Sequence, residues 1–229
     1  MNILIVEDIT LIAERIADLA TTYINGSKIT ISHTLEDAKL CIQEKGFDLL
    51  FLDLNLNGED GFELLQTAVA SSFQTIIITA NRDQAAIAFD YGVFDFISKP
   101  ILENRFKLSI DRLQNNTATY REQLKQLAVK TKGAIQLIPL ENILYIKASG
   151  NYSEIYTKDK RCFLHDKNLE KLRAILPKKY ERVHRSYVVA TTEIQKILKH
   201  GSGKYSLQLQ NDFSIPLSRE TYKKLDLES

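Results

Sequence analysis

Apolar residues in the first half of the chain alternate between two spacings. Continuous or near-continuous apolar runs fall at 2–6 (NILIV), 28–32 (KITIS), 48–52 (DLLFL), 74–78 (QTIII) and 93–97 (VFDFI). Between them, apolar positions recur every three or four residues. Ile12, Ile16, Leu19 and Tyr23 do so over 9–24, Leu35, Ala38 and Ile42 over 34–45, and Phe62, Leu65 and Val69 over 61–70. The first spacing predicts strands and the second amphipathic helices. Five strands alternating with helices predict a parallel sheet covered on both faces, which is also why the strands are almost wholly apolar. Such a sheet carries its functional residues beyond the C-terminal ends of its strands.

After Lys99-Pro100 a further helical stripe begins with Leu102, Phe106, Ile110 and Leu113. Tyr120, Leu124 and Leu127 extend it, with Asn115-Asn116 as a weak spot. Lys130-Thr131-Lys132-Gly133 breaks the pattern, and beyond it the chain reads differently. Short alternating runs fill 134–138, 143–148, 152–157, 160–164, 194–198, 204–210 and 213–216. Tyr205, Leu207 and Leu209 alternate with Ser206, Gln208 and Gln210, as on a half-exposed antiparallel strand. Gly201-Ser202-Gly203 reads as a turn into that strand. One helix is expected at 167–176, along Leu169, Leu172 and Leu176, and a short one at 218–226. The expected organisation is an α/β domain at 1–118, a linker or extended helix at 119–132, and a mainly-β domain at 133–229.

Charge sharpens this division. The net charge of +1 conceals −7 over residues 1–129 and +8 over 130–229. A basic half joined to an acidic one suggests separate partners, with the basic half a candidate for phosphate backbones, although solvated surface charge alone could look the same. The apolar runs are too short to span a bilayer. The N-terminus has acids at Glu7 and Asp8 and no basic stretch, unlike a secretory leader. Cys41 and Cys162 are far apart with no CxxC spacing, as expected of reduced thiols in a cytoplasmic protein.

Candidate chemistry gathers at the strand ends of the first half. Glu7-Asp8 follows the first strand, Asp53 the third, Thr79 the fourth and Lys99-Pro100 the fifth. Singly, each has an ordinary explanation: Asp8 could cap the first helix, and a Thr or Lys in a loop is common surface. Jointly they would converge on one rim, where three carboxylates favour a hard divalent cation such as Mg²⁺. A cation and a lysine there would offset the charge of a phosphoryl group on one carboxylate.

In these residues the chain resembles the receiver domains of two-component response regulators, over residue 1 to about 113. The resemblance implies a flavodoxin-like doubly wound (βα)5 fold, with Asp53 accepting a phosphoryl group from a sensor histidine kinase. It implies Mg²⁺ held by Glu7, Asp8, Asp53 and the backbone carbonyl of Asn55, Lys99 and Thr79 contacting the phosphoryl oxygens, and Phe96 as the switch aromatic. The sequence departs from the family pattern in three places. Glu7 stands where Asp is commoner, Asn57 where Pro is usual four residues after the acceptor, and Phe96 lacks a tyrosine hydroxyl.

The second half taken alone is a basic β-rich module without a helix-turn-helix pattern, a zinc ligand set or an RNP-type aromatic motif. Its segments 143–156 (ILYIKASGNYSEIY), 180–189 (YERVHRSYVV) and 215–219 (IPLSR) resemble, in order and spacing, the LytTR-type DNA-binding domain over about 134–226. Ala190 replaces the family's usual Asn. The resemblance implies DNA reading by loops near 149–154, 184–186 and 218–219. Arg185 and Arg219 are the main candidates, clamping phosphates or pairing with guanine. Asn151, Ser153 and Glu154 lie where relatives read bases. His184 either joins them or holds its loop, and Tyr152 and Tyr187 read as packing residues rather than base stackers.

The implied protein is a cytoplasmic transcription regulator, not an enzyme, with a histidine kinase and double-stranded DNA as partners and a homodimer as its working form. Two other readings stand beside it. A receiver could carry a protein- or RNA-binding output domain. An aspartate-nucleophile phosphatase would also use an Asp, a Thr and a Lys, but needs a second acid two residues after the nucleophile, where this chain has Asn55.

Overall fold

The computed structural model describes the chain except residues 45, 82–86, 116–121, 123, 133, 211–212 and 227–229, and the side chains of Asp60, Ser202 and 224–226. Asn116, Tyr120 and Gly133, invoked above, therefore lie outside the described residues.

The first half contains β1 (Asn2–Val6), α1 (Thr10–Tyr23), β2 (Lys28–Ser32), α2 (Leu35–Glu44) and β3 (Leu49–Leu52). A small hairpin follows, β4 (Asn55–Leu56) and β5 (Glu59–Asp60), then α3 (Phe62–Ala70), β6 (Gln74–Thr79), β7 (Asp95–Ser98) and a helix labelled α4 here (Glu103–Gln114). Residues 87–90 are helical as well. The parallel sheet has the order β2-β1-β3-β6-β7, the flavodoxin-like order. Every residue of β3 and β6 is buried, because helices cover both faces. Ile16 and Leu19 of α1, and Phe106 and Ile110 of α4, face one side of the sheet with Ile3, Ile5 and Phe51; Leu64, Leu65, Ala68 and Val69 of α3 face the other with Leu4, Leu50 and Leu52.

The second half begins with the hairpin β8 (Gln126–Thr131) and β9 (Ala134–Pro139). Then come β10 (Ile143–Ser149), β11 (Tyr152–Thr157), β12 (Cys162–His165), α5 (Leu169–Ile175), β13 (Tyr180–His184) and β14 (Tyr187–Ala190). The chain ends with β15 (Ile194–His200), β16 (Lys204–Leu209), β17 (Ser214–Leu217) and α6 (Arg219–Asp226). An antiparallel sheet, β12-β11-β10-β14-β13, meets a three-stranded one, β15-β16-β17. Leu144, Tyr145, Val183 and Val189 of the larger sheet pack on Leu207, Leu209, Ile215 and Leu217 of the smaller. The opposite face of the larger sheet sets Ile146, Ile155 and Val188 against Leu169 and Leu172 of α5. α5 begins where Asn168 accepts the Lys171 backbone N–H at 2.9 Å, an ordinary N-cap.

One expectation about the elements changes, and two features are added. Leu124 and Leu127 do not extend the helix after Lys99-Pro100. α4 stops at Gln114, and Gln126–Thr131 is a strand. Leu127 and Val129 enter one apolar cluster and Ala128 another, so both faces of β8 are buried, an environment a period of two satisfies. The segments 180–184 and 187–190, quoted above only as a motif, are strands. The Asn57-Gly58 pair makes a two-residue hairpin between β4 and β5, with φ of 53° and 85°, the conformation that Asn-Gly favours.

Candidate functional site

The backbone brings the four strand-end features together. Asp53 N–H donates to Val6 O at 2.9 Å, which fixes the end of β3 beside the end of β1. Lys99 N–H donates to Thr79 O at 3.0 Å, which does the same for β7 and β6, and the Lys99–Pro100 peptide is cis. Glu7, Asp8 and Asp53 each present a carboxylate oxygen, and these oxygens all lie within 4.8 Å of one another. Lys99 Nζ stands 2.5 Å from Asp53 Oδ2 and 2.8 and 2.7 Å from the two oxygens of Glu7.

The surrounding contacts set each group's role. Burial pushes the Glu7 carboxyl above its usual range, and Lys99 only partly offsets this. Burial also works against the charge of Lys99, but hydrogen bonds and charge from Asp53 and Glu7 prevail and hold its ammonium above the ordinary value. His33 Nδ1 lies 2.7 Å from Glu7 O; a carbonyl only accepts, so this nitrogen carries the hydrogen. Asp53 Oδ1 accepts the Asn55 N–H at 3.1 Å, and Asp8 Oδ2 accepts the Asn57 N–H at 2.9 Å. Asp8 is therefore not the cap of α1, whose N-cap position is Ile9 with no side-chain bond. Thr79 is buried, with its hydroxyl 3.4 Å from the Asn81 N–H. Phe96 is half-buried, edge-on to Phe89 at 6.2 Å. The Phe96 carbonyl accepts from Arg105, whose guanidinium also grips the buried Asp95.

The donor set suits a hard cation. It offers three carboxylates, and Glu7 Oε2 is buried with no well-directed hydrogen bond among the described residues. Sequence reasoning missed Asn57 and His33 as supports of this pocket. The signal for Asn57 was present in the Asn-Gly pair, whereas nothing in the sequence marks His33.

A second constellation lies in the basic half. The β10–β11 turn, with Gly150 at φ 61° followed by exposed Asn151, neighbours the β13–β14 turn, since Ala148 N–H donates to Ser186 O at 2.9 Å. Ser218 N–H donates to Val183 O at 2.8 Å, drawing the start of α6 to the same place. An open cleft of about 760 Å³ is lined by His184, Arg185, Ser218 and Thr221 together with Arg173 and Lys178. Arg185 is exposed; Arg219 is exposed with its Nε donating to Gly203 O at 3.1 Å.

Other positions depart from expectation. Ser153 is fully buried on the inward face of β11, paired across the strands with His165, so its hydroxyl does not reach the surface where bases could be read. Strand alternation explains this, because exposed Tyr152 and half-buried Glu154 point the other way. Glu154 is engaged by Lys147 at 3.1 Å and by the Tyr156 hydroxyl at 2.9 Å, and Lys147 leads in holding its carboxyl below the usual range. His184 Nδ1 accepts the Ser186 N–H at 3.3 Å within its own turn. Burial, with Arg185 and Arg182 adding to it, pushes its imidazole below the ordinary value. Tyr187 packs as expected, 6.0 Å from Tyr145, but Tyr152 is exposed rather than packed. Lys147, at the end of the ILYIK run, is a basic neighbour of these turns that sequence reasoning passed over.

Comparison with known proteins agrees with both halves. Residues 3–111 match the family model of the response regulator receiver domain, and residues 133–227 match that of the LytTr DNA-binding domain. The sensory transduction protein LytT of Bacillus subtilis is 27% identical over 98% of this chain and 97% of its own length. The transcriptional regulatory protein YpdB of Escherichia coli K12 is 26% identical over the same shares. Among solved structures, the response regulatory domain of mrkE from Klebsiella pneumoniae is 30% identical, with a TM-score of 0.47, over 50% of this chain and 96% of that one. The LytTr domain of a putative regulator from Bacillus cereus is 20% identical, with a TM-score of 0.41, over 45% and 94%. A receiver fold with an acidic pocket is thus joined to a LytTR-type β domain. The chain belongs to the two-component response regulators that carry a LytTR-type DNA-binding domain.

Proposed function

We propose that Asp53 is the phosphoacceptor of this regulator and that the basic half binds duplex DNA through the turns described above. The supporting observation is the Lys99 ammonium bridging Asp53 and Glu7 within a cluster of three carboxylates. An oxygen of Asp53 attacks the phosphorus of a phosphohistidine on the kinase; the P–N bond breaks and the departing imidazole takes up a proton. Glu7, Asp8, Asp53 and the Asn55 carbonyl would hold Mg²⁺, which when bound offsets phosphoryl charge. Lys99 then moves from carboxylate to phosphoryl oxygen, and the Thr79 hydroxyl supplies a second hydrogen bond. Charge-assisted bonds of about 1.5–3 kcal/mol each approach the roughly 5.5 kcal/mol needed to invert a two-state population. Dimerisation supplies the remainder, and Phe96 reports the change.

On this reading the receiver spans 1–118, the connection 119–132 and the output domain 133–229, with β8 of the connection already paired to β9. Arg185 and Arg219 contact DNA, with Asn151 at the neighbouring turn; Ser153 is withdrawn from the set, and His184 orders its turn. No described helix is long and apolar enough to cross a membrane, which suits action in the cytoplasm. The phosphatase alternative lacks its second acid, since position 55 is Asn rather than a carboxylate.

Asp53→Asn should abolish phosphoryl uptake from acetyl phosphate while leaving the thermal unfolding transition in place. Phosphoryl found on another residue of that folded variant would refute the assignment.

A further inference from the structure

Helix α3 runs from the acid pocket to the other half of the molecule. At its start, Gly61 N–H donates to Leu54 O at 2.9 Å, and a Cβ on Gly61 would stand 2.9 Å from Leu54 Cα and 3.1 Å from Asp53 O. The helix thus presses on the backbone that carries Asp53, and only a glycine lets it come so close. At its far end, the Lys167 ammonium donates to Val69 O at 2.7 Å and Ser71 O at 2.8 Å. Lys171 Nζ donates to Ser72 O at 2.9 Å, and Gln74 Nε2 returns a bond to Lys171 O at 3.1 Å. The last carbonyls of a helix lack partners within it and carry its negative dipole end. Here a lysine from the other domain meets them.

Lys167 is 1% exposed, a rare state for a lysine without a carboxylate bound to it. Withdrawing it would leave carbonyls unpaired, so the contact resists partial loosening. A second contact sits nearby, where a Cβ on Gly92 would be 2.9 Å from Leu124 and 3.3 Å from Ile175. The contact leaves Asn151, Arg185 and Arg219 exposed, so it fixes the orientation of the DNA-binding face without covering it.

We propose that α3 is a coupling element between the two domains, with Lys167 clamping the output domain to its C-terminal carbonyls so that a change at Asp53 moves that domain with the helix. The proposal rests on Asp53 being the acceptor, and adds a route distinct from the Thr79–Phe96 side.

Hydrogen exchange of the full chain, with and without Mg²⁺ and beryllofluoride as the phosphoryl mimic, tests it. In the parent protein, beryllofluoride should change exchange at 61–74 and 165–176 together. In Lys167→Met the response at 61–74 should persist while that at 165–176 falls at least about fivefold, the lower bound of ordinary allosteric coupling. An unchanged response at 165–176 in the variant, or none there in a parent protein that responds at 61–74, overturns the coupling. No response around Asp53 and Thr79 overturns the acceptor reading and this proposal with it. Should Lys167→Met fail to fold, Lys171→Glu decides in its place. That variant sets a carboxylate against Ser72 O from a less buried position, with the same outcomes expected.

Discussion

At Asn57 the backbone turns left-handed, φ 53°, and its N–H points at Asp8. A proline there would fail twice, since its ring holds φ near −65° and it has no N–H to give. The family's usual residue is thus incompatible with this pocket as built, and the departure seen in the sequence has a structural cause. Asn57→Pro should lower stability by about 1–3 kcal/mol, from one lost hydrogen bond to a charged group and a displaced turn. It should also weaken Mg²⁺ binding, because Asp8 loses the contact that orients it. Thermal melts and calorimetric Mg²⁺ titration would check both, and an unchanged Mg²⁺ affinity would show that Asp8 is positioned by something else. Much of the pocket was legible in the sequence, because acids, Thr and Lys at strand ends are made neighbours by the order of a parallel sheet. Ser153 was misplaced because a motif match assigns a position to a loop but not a face to a side chain, and strand parity turned this one inward.

Among the elements, the βα alternation was legible because each period is long and the central strands β3 and β6 are buried on both sides, although the edge strand β2 is partly exposed. β8 was misread because Leu124 and Leu127 are three apart, a spacing that suits a helix unless partners on two faces demand a strand. Nothing local to the sequence marks those partners, which include β9 and the receiver itself. Lys167 and His165 likewise looked ordinary until packed. Burial, with Lys171 and Lys130 adding and Asp166 opposing, lowers the Lys167 ammonium to about 7. A neutral amine still has two hydrogens for Val69 O and Ser71 O. Burial, with Lys167 and Lys130 adding, holds His165 well below its ordinary value. Between about 7 and 10.5 the open chain binds a proton at Lys167 that the packed one does not, so stability rises with pH across that window. Below 6.5 the same holds at His165, so stability falls as the pH drops further. Lys99, raised above 10.5, loses its contribution only beyond this range, as pH rises through its folded value. The melting temperature should therefore climb from pH 7 to 9; below 6.5 the raised Glu7 carboxyl, which binds its proton more readily in the packed chain, partly offsets the fall due to His165. Lys167→Met should flatten the limb above 7 and keep the one below 6.5; an unaltered upper limb would mean Lys167 is not the group titrating.

On the scale of the whole molecule, opposite charge on the two halves makes the net +1 a poor guide to what the protein attracts. On the proposed function, duplex DNA would meet the exposed Arg185 and Arg219 beside the β13–β14 and β17–α6 turns, and the acidic receiver would be left to the kinase. Counterion release makes the consequence measurable: contact with about six phosphates gives a slope near −5 for log affinity against log salt. Binding of the full chain to a duplex selected in vitro that stayed flat across salt would remove DNA as the partner. The two arginines can then be told apart by the same experiment. An arginine that clamps a phosphate should, as alanine, weaken every sequence alike and reduce the slope by about 1. One that pairs with guanine should cost about 1–3 kcal/mol, leave discrimination relaxed at one base pair, and change the slope little. Arg219 is steadied by Gly203 O, and a guanidinium held in one plane is what bidentate pairing requires. The expectation is therefore base readout at Arg219 and phosphate contact at Arg185, and a slope that drops for Arg219→Ala but not for Arg185→Ala would reverse the assignment.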